Sequence, residues 1–114
     1  MPPKRREVWQ VDFGRRVGSE PDKVRPAVVI QIDSLSGLST RVVVPFYSSP
    51  SYAQHRGNVP VPQGEGGLST DSVAVGHQVR VVDLTRFKEL LGTLSGNYMD
   101  EIELAVAHCL GIAM

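Results

Sequence analysis

A single cysteine, Cys109, stands among 114 residues, and a lone thiol forms no internal disulfide, so the fold must rest on packing and hydrogen bonds. No zinc-ligand spacing is present either, and no metal or cofactor is expected. Cys109 falls on the apolar side of a helical pattern near the C-terminus, where a buried structural thiol is expected. Net charge is also missing. Twelve Lys and Arg balance twelve Asp and Glu, which argues against a protein that grips nucleic acid by bulk electrostatics. No apolar run approaches the length of a membrane-spanning helix, and the N-terminus lacks the apolar centre of a signal peptide. A cytoplasmic bacterial protein with no membrane partner is expected. Internal repeats, heptads, a P-loop, a dinucleotide glycine fingerprint and a GxSxG elbow are all absent, which removes the common nucleotide-binding and hydrolase classes.

What the chain does contain suits one compact domain over residues 1–114, with an apolar fraction of 41% and a core of modest size. Charge is unevenly spread. Residues 1–57 hold nine Lys and Arg against five Asp and Glu, and residues 58–114 hold three against seven, so one face can be basic while another is acidic. The opening Pro-Pro-Lys-Arg-Arg reads as a frayed tail. Residues 7–13 alternate as a strand, with Trp9, Val11 and Phe13 toward the core and Val8, Gln10 and Asp12 away from it. The β-branched runs at 27–32 and 41–46 flank a Ser/Gly turn and pair as a hairpin. Residues 47–67 turn to Ser, Pro, Gly, Gln and Asn, with a short strand at 58–61 and a mobile tip at Gly64–Gly67. Strands at 72–75 and 78–82 flank a bend at Gly76 and His77. Asp83 then caps a helical turn through Lys88, and a strand follows at 90–94. Ser95 caps a helix over residues 96–110 that buries Met99, Ile102, Val106 and Cys109 or Leu110 and stops at Gly111. Short strands followed by one helix close most naturally as a small antiparallel β-barrel, which removes exposed sheet edges.

The most informative stretch is VGSEPDKVRPAVVIQ, residues 17–31. A loop of Gly, Ser, Glu and Pro runs into Arg25, Pro26 and an apolar strand, so a fixed cation stands where the loop meets the sheet. Pro26 holds Arg25 in extended backbone and removes one donor at the strand's start, where a sheet tolerates the loss. A guanidinium at such a junction suits an anion, because its planar fork matches two phosphoryl oxygens. The pattern GSEPxKxRPAVVIQ, together with REVWQVDFG at 6–14, VVVPFYSS at 42–49, DSVAVGHQVRVVD at 71–83 and LGTLS at 91–95, resembles the MazF/PemK family of toxin–antitoxin ribonucleases. The likeness covers nearly the whole chain in order. It implies a mainly β fold with a C-terminal helix, an SH3-like barrel of the CcdB/MazF kind, paired as a homodimer.

It also implies a type II toxin: a metal-independent, sequence-selective endoribonuclease that cuts single-stranded RNA and is restrained by a cognate MazE-like antitoxin. An acidic, partly disordered antitoxin tail would suit a basic groove. In such cleavage the RNA's own 2′-hydroxyl attacks phosphorus, leaving a 2′,3′-cyclic phosphate and a 5′-hydroxyl. The protein removes one proton, stabilises charge on the phosphoryl oxygens and protonates the departing oxygen.

Arg25 matches the family's catalytic arginine and suits the charge-stabilising role; the alternative is a solvated surface pair with Glu20 or Asp22. Where the family places Thr and then Ser, this chain has Tyr47 and Ser48. Either hydroxyl can orient the 2′-oxygen or bind phosphate, and Tyr47 can instead stack on a splayed base. His77 replaces an acidic residue and is either an acid–base or RNA-contacting group or a hydrogen-bonded histidine at the bend. Ser19 and Glu20 match the GSE loop and are expected on a base edge or a 2′-hydroxyl, although Ser19 can serve its own loop. Gln78 and Arg80 join the RNA-contacting set, with an Arg80–Asp83 bridge as the alternative. His55 contacts RNA or stays solvated, and His108 is a surface or dimer-contact residue. Two other functions share these features: a non-catalytic CcdB-like barrel that binds a protein such as gyrase, and a bare RNA-binding module. Arg25 within RPAVVIQ favours cleavage.

Overall fold

Neighbouring side chains in a strand point to opposite faces, so the valine doublets at 28–29 and 43–44 demand apolar cover on both sides of their sheet. The computed structural model, which describes residues 2–113, supplies it. Strands β1 (Glu7–Asp12), β2 (Val24–Val29), β3 (Thr40–Tyr47), β4 (Asn58–Val61), β5 (Ser72–Val75), β6 (Arg80–Asp83) and β7 (Phe87–Thr93) precede one helix, α1 (Gly96–Cys109). The antiparallel order is β4-β5-β3-β2-β1-β7, with β6 pairing β3 off this path. One edge of β3 serves two neighbours, β6 along Thr40–Val43 and β5 along Phe46–Tyr47.

Val28 and Val44 enter the main core with Phe46, Val61, Leu94 and the helix residues Met99, Ile102 and Val106. Val29 and Val43 enter a smaller core on the other face with Val11, Phe13, Ala27 and Val82. There Trp9 and Phe87 meet edge to face with ring centroids 5.8 Å apart. The single buried face expected for β1 is therefore incomplete. Trp9, Val11 and Phe13 do pack inward on the smaller core, but Val8 is fully buried in the main one. β1 itself alternates regularly, and Val8 is buried because the main core covers its second face; the extra residues at the two register shifts of the β1–β7 ladder, Leu91 and Lys88, lie in β7.

The sheet is barrel-like but not closed, for β4 and β7 form no ladder among the described residues. A 3-10 turn at Glu65–Gly67 fills the gap. At Gly67 φ is +76° and an added Cβ would lie 2.0 Å from the Leu91 carbonyl oxygen, so only glycine can bring the turn this close to β7. Gly64–Gly67 is thus a packed turn and not the expected mobile tip. Ser95 holds the N-cap position of α1, but its hydroxyl makes no capping bond. Its backbone N–H instead donates to the Glu65 carboxylate at 2.6 Å.

The basic start is pinned, contrary to the expected frayed tail. Pro3 is buried, Arg6 Nε donates to the Leu94 carbonyl at 3.0 Å, and Arg5 reaches the Ile30 carbonyl and the Glu103 carboxylate. Arg41, only 1% exposed, donates to the carbonyls of Pro3, Ser36, Leu38 and Thr40. The turn after Asp83 is also shorter than expected: it spans Leu84–Arg86, and β7 begins at Phe87, whose ring is committed to Trp9. Cys109 is exposed, not buried, because the last turn of α1 runs past the apolar floor and Ala107 completes the buried face. Among the described residues no helix is long and apolar enough to cross a membrane.

Candidate functional site

The loop joining β1 to β2 is tied at its base, where Phe13 N–H donates to the Lys23 carbonyl at 2.8 Å and Lys23 N–H to the Gly14 carbonyl at 2.7 Å. Lys23 adopts φ +58°, a left-handed turn that a non-glycine residue takes only under constraint, and Pro21 and Asp22 are buried beside it. Asp22 then meets Arg25 twice. Its carbonyl accepts from Arg25 Nε and its carboxylate Oδ1 from Nη2, both at 3.1 Å. Arg16 Nη2 approaches the same oxygen at 3.4 Å. Arg25 is therefore not a solvated surface pair, for its side chain is only 19% exposed. Pairing between β2 and β3 begins at Ala27, so at Pro26 the strand has β1 alone as a neighbour and the absent N–H is tolerated.

Tyr47, at the end of β3, covers the guanidinium, with Arg25 Cζ 4.1 Å from the ring centroid. Tyr52 stacks on Tyr47 at 4.6 Å and 27°; one face has no room for both neighbours, so they occupy opposite faces. The Tyr47 hydroxyl donates to the Gln78 side-chain carbonyl, and the Gln78 amide donates to the Ser19 carbonyl at 3.0 Å. Contacts thus run from Asp22 through Arg25, Tyr47 and Gln78 back to the loop. Burial disfavours the charged form of Asp22, but Arg16, Arg25 and Lys23 outweigh it and hold the carboxyl below its ordinary value. Burial pushes the Tyr47 phenol up against the pull of Arg25. The phenol therefore stays protonated and donates; it is no base near neutrality.

In front of this chain of contacts opens a cavity of ≈ 730 Å³ whose walls include the expected Ser19, Tyr47, His55, His77 and Gln78. A second cavity of ≈ 390 Å³ shares Ser19, His77 and Gln78 and adds Glu20 and Arg80. The structure therefore gathers most of the expected residues along one concave surface. Arg25 lies behind it under Tyr47, while Ser48 is exposed and lines neither cavity. His77 is exposed and has no hydrogen-bond partner among the described residues, so backbone bonds, not imidazole, hold the 3-10 turn at Gly76–Gln78. The alternative Arg80–Asp83 bridge does not form. Arg80 lies over the Phe13 ring at 5.7 Å, and Asp83 accepts from the Thr85 N–H and hydroxyl.

Arg16, Tyr52, Arg56 and Cys109, which escaped the sequence reading of the site, and His108, expected at the surface or a dimer contact, also line the larger cavity. Asp22 was expected only as an alternative, solvated partner of Arg25; the pair forms, but with its carboxylate 10% exposed and in a loop fixed by the left-handed turn at Lys23. Tyr52 and Arg56 lie in a Ser/Pro-rich stretch with no periodicity to orient them. The cavity's imidazoles and thiol do not gather as a metal-holding group among the described residues. A concavity walled by stacked aromatics and an accessible imidazole, with a clamped cation behind Tyr47, has groups suited to a phosphodiester and its bases.

Comparison with known proteins adds an independent line. Residues 4–110 match the family described as PemK-like, MazF-like toxin of type II toxin-antitoxin system. The chain is similar to the Endoribonuclease MazF of Staphylococcus saprophyticus, 32% identical over 110 residues that span 96% of this chain and 92% of that protein. Its fold is similar to that of MazF from Deinococcus radiodurans, with a TM-score of 0.85 and 20% identity over 98% of this chain and 99% of that one. A mycobacterial endoribonuclease in complex with its cognate antitoxin gives a TM-score of 0.80 at 18% identity, covering 98% of both chains.

Proposed function

Since the chain belongs to the family of PemK-like, MazF-like toxins of type II toxin–antitoxin systems, we propose that it is an endoribonuclease that cuts single-stranded RNA without a metal ion. Arg25 is the observation that carries this reading. Asp22 occupies its Nε–Nη2 edge, and no acceptor among the described residues occupies Nη1. As the 2′-oxygen loses its proton and bonds to phosphorus, charge builds on the non-bridging oxygens, and the remaining Nη1/Nη2 fork of Arg25 meets two of them. The bond from phosphorus to the 5′-oxygen then breaks and that oxygen takes a proton.

His77, on the wall shared by both cavities, is the proton carrier, since imidazole both accepts and gives a proton near neutrality. Tyr47, with its raised pKa, covers the guanidinium with one face and carries Tyr52 on the other, which leaves the outer face of Tyr52 for a base. Ser48 offers its exposed hydroxyl to phosphate, and Ser19, Glu20, Gln78, Arg80 and His55 contact the RNA along the two cavities. The working species is a homodimer in the cytoplasm, restrained by an acidic antitoxin tail that binds near Arg16 and Arg56.

Purified protein in excess chelator is expected to cut a long RNA at a short recurring word, leaving 2′,3′-cyclic phosphate and 5′-hydroxyl ends. Arg25→Ala should lower the rate about 10³-fold with the fold intact. RNA bound but uncut would indicate a binding module, and RNA ignored would indicate a protein target. Chelator-sensitive cleavage would overturn the metal-free chemistry. A native mass of one subunit would overturn the homodimer, and undiminished cleavage in the presence of the cognate antitoxin would overturn its restraining role.

A further inference from the structure

Asp22 stands at the first open position of the GSEPxKxRP pattern, yet it makes both directional contacts to Arg25. Guanidinium carries five N–H donors, and Asp22 takes two of them along one edge. The Tyr47 ring confines the group to a plane, but a face contact does not set its rotation within that plane; directional hydrogen bonds do. We propose that Asp22 is a positioning residue that fixes the in-plane orientation of Arg25, so that the opposite fork meets the phosphoryl oxygens, with Arg16 as its charge-compensating partner. The inference rests on the ribonuclease reading above.

A carboxylate beside a phosphate-binding guanidinium works against the charge that must be stabilised. Arg16 offsets this, for its side chain is 58% exposed, lines the cavity and contacts the same Oδ1. The Arg16–Asp22–Arg25 group therefore keeps a net positive charge. A masking role for Asp22 would require it to cover the Nη1/Nη2 fork, but it takes only the Nε-side proton of Nη2 and leaves the other Nη2 proton and both on Nη1.

Wild type, Asp22→Ala and Asp22→Asn are compared in cleavage of a short RNA, with melting curves recorded in parallel. Asp22→Ala should lower kcat roughly 10- to 100-fold with KM unchanged or reduced, and Asp22→Asn, which keeps an acceptor oxygen, should recover most of the loss. Equal or faster turnover by Asp22→Ala overturns the proposal. The Arg25 Nη2–H resonance, whose proton goes to the Asp22 carboxylate while Nε–H goes to the main-chain carbonyl that every variant keeps, gives a second readout that needs no cleavage. It should be sharp and protected from exchange in wild type and Asp22→Asn, and broadened in Asp22→Ala. Because Arg25 and Arg16 hold the Asp22 carboxyl low, the wild-type signal should survive acidification through the ordinary Asp value of 3.8 and fade only below it. An Arg25 resonance indifferent to Asp22→Ala overturns the positioning role. A wild type that cuts no RNA overturns the ribonuclease reading alone; the resonance then still decides whether Asp22 orients Arg25.

Discussion

Arg41 and Arg25 carry the same side chain into opposite uses. Arg41 is sealed among the carbonyls of Pro3, Ser36, Leu38 and Thr40, while Arg25 is held along one edge and keeps a fork in reserve. Replacing Arg41 with Met should lower unfolding free energy by about 3 kcal/mol in urea titrations, because several buried carbonyls lose their donor at once. A loss under about 1 kcal/mol would mean that water replaces the guanidinium. Both arginines precede valine-rich runs, and sequence singled out Arg25 through its Pro26 and loop context. Ser19, His77 and Gln78 were legible because they stand in short matched segments that the fold brings to one concavity. Arg16 and Tyr52 were not, and Asp22 was legible only as an alternative partner of Arg25, since their placement depends on loop conformation, above all the left-handed turn at Lys23, which local propensity does not specify.

At the scale of elements, alternation in β1 and β-branched runs elsewhere located the strands, although β2, β3 and β5 bury consecutive residues. Alternation misread the faces where a strand is covered on both sides, as β1 is at Val8. It failed again at Glu65–Gly67, where composition signals looseness but tertiary contact imposes order. Gly67→Ala should destabilise the protein by about 3 kcal/mol, combining a left-handed backbone with a clash on the Leu91 carbonyl. Thermal and urea unfolding of this variant measure it, and a melting point matching wild type would show that the turn is not what fills the gap between β4 and β7. Helix α1 was legible from its Met99–Ile102–Val106 spacing, but the exposure of Cys109 was not, because periodicity does not reveal where the underlying floor ends.

For the whole molecule, an even balance of charges coexists with a cavity served by Arg16, Arg56 and, behind Tyr47, Arg25. Binding of an uncleavable RNA with 2′-deoxy substitution should therefore weaken with salt only modestly. Three phosphate contacts give a slope of log affinity against log salt of about −2, measurable by fluorescence anisotropy, whereas a slope steeper than about −5 would require a far wider basic surface. The resemblance along nearly the full chain made the architecture legible as a whole, while the loop geometry that aims its cation was not. Arg25 is fastened to Asp22, and Asp22 belongs to the same short hairpin whose outer residues face the cavities. Under the proposed function, recognition and turnover are consequently geared together: a hairpin recut to prefer another RNA word is expected to swing the guanidinium proposed to stabilise the phosphoryl charge.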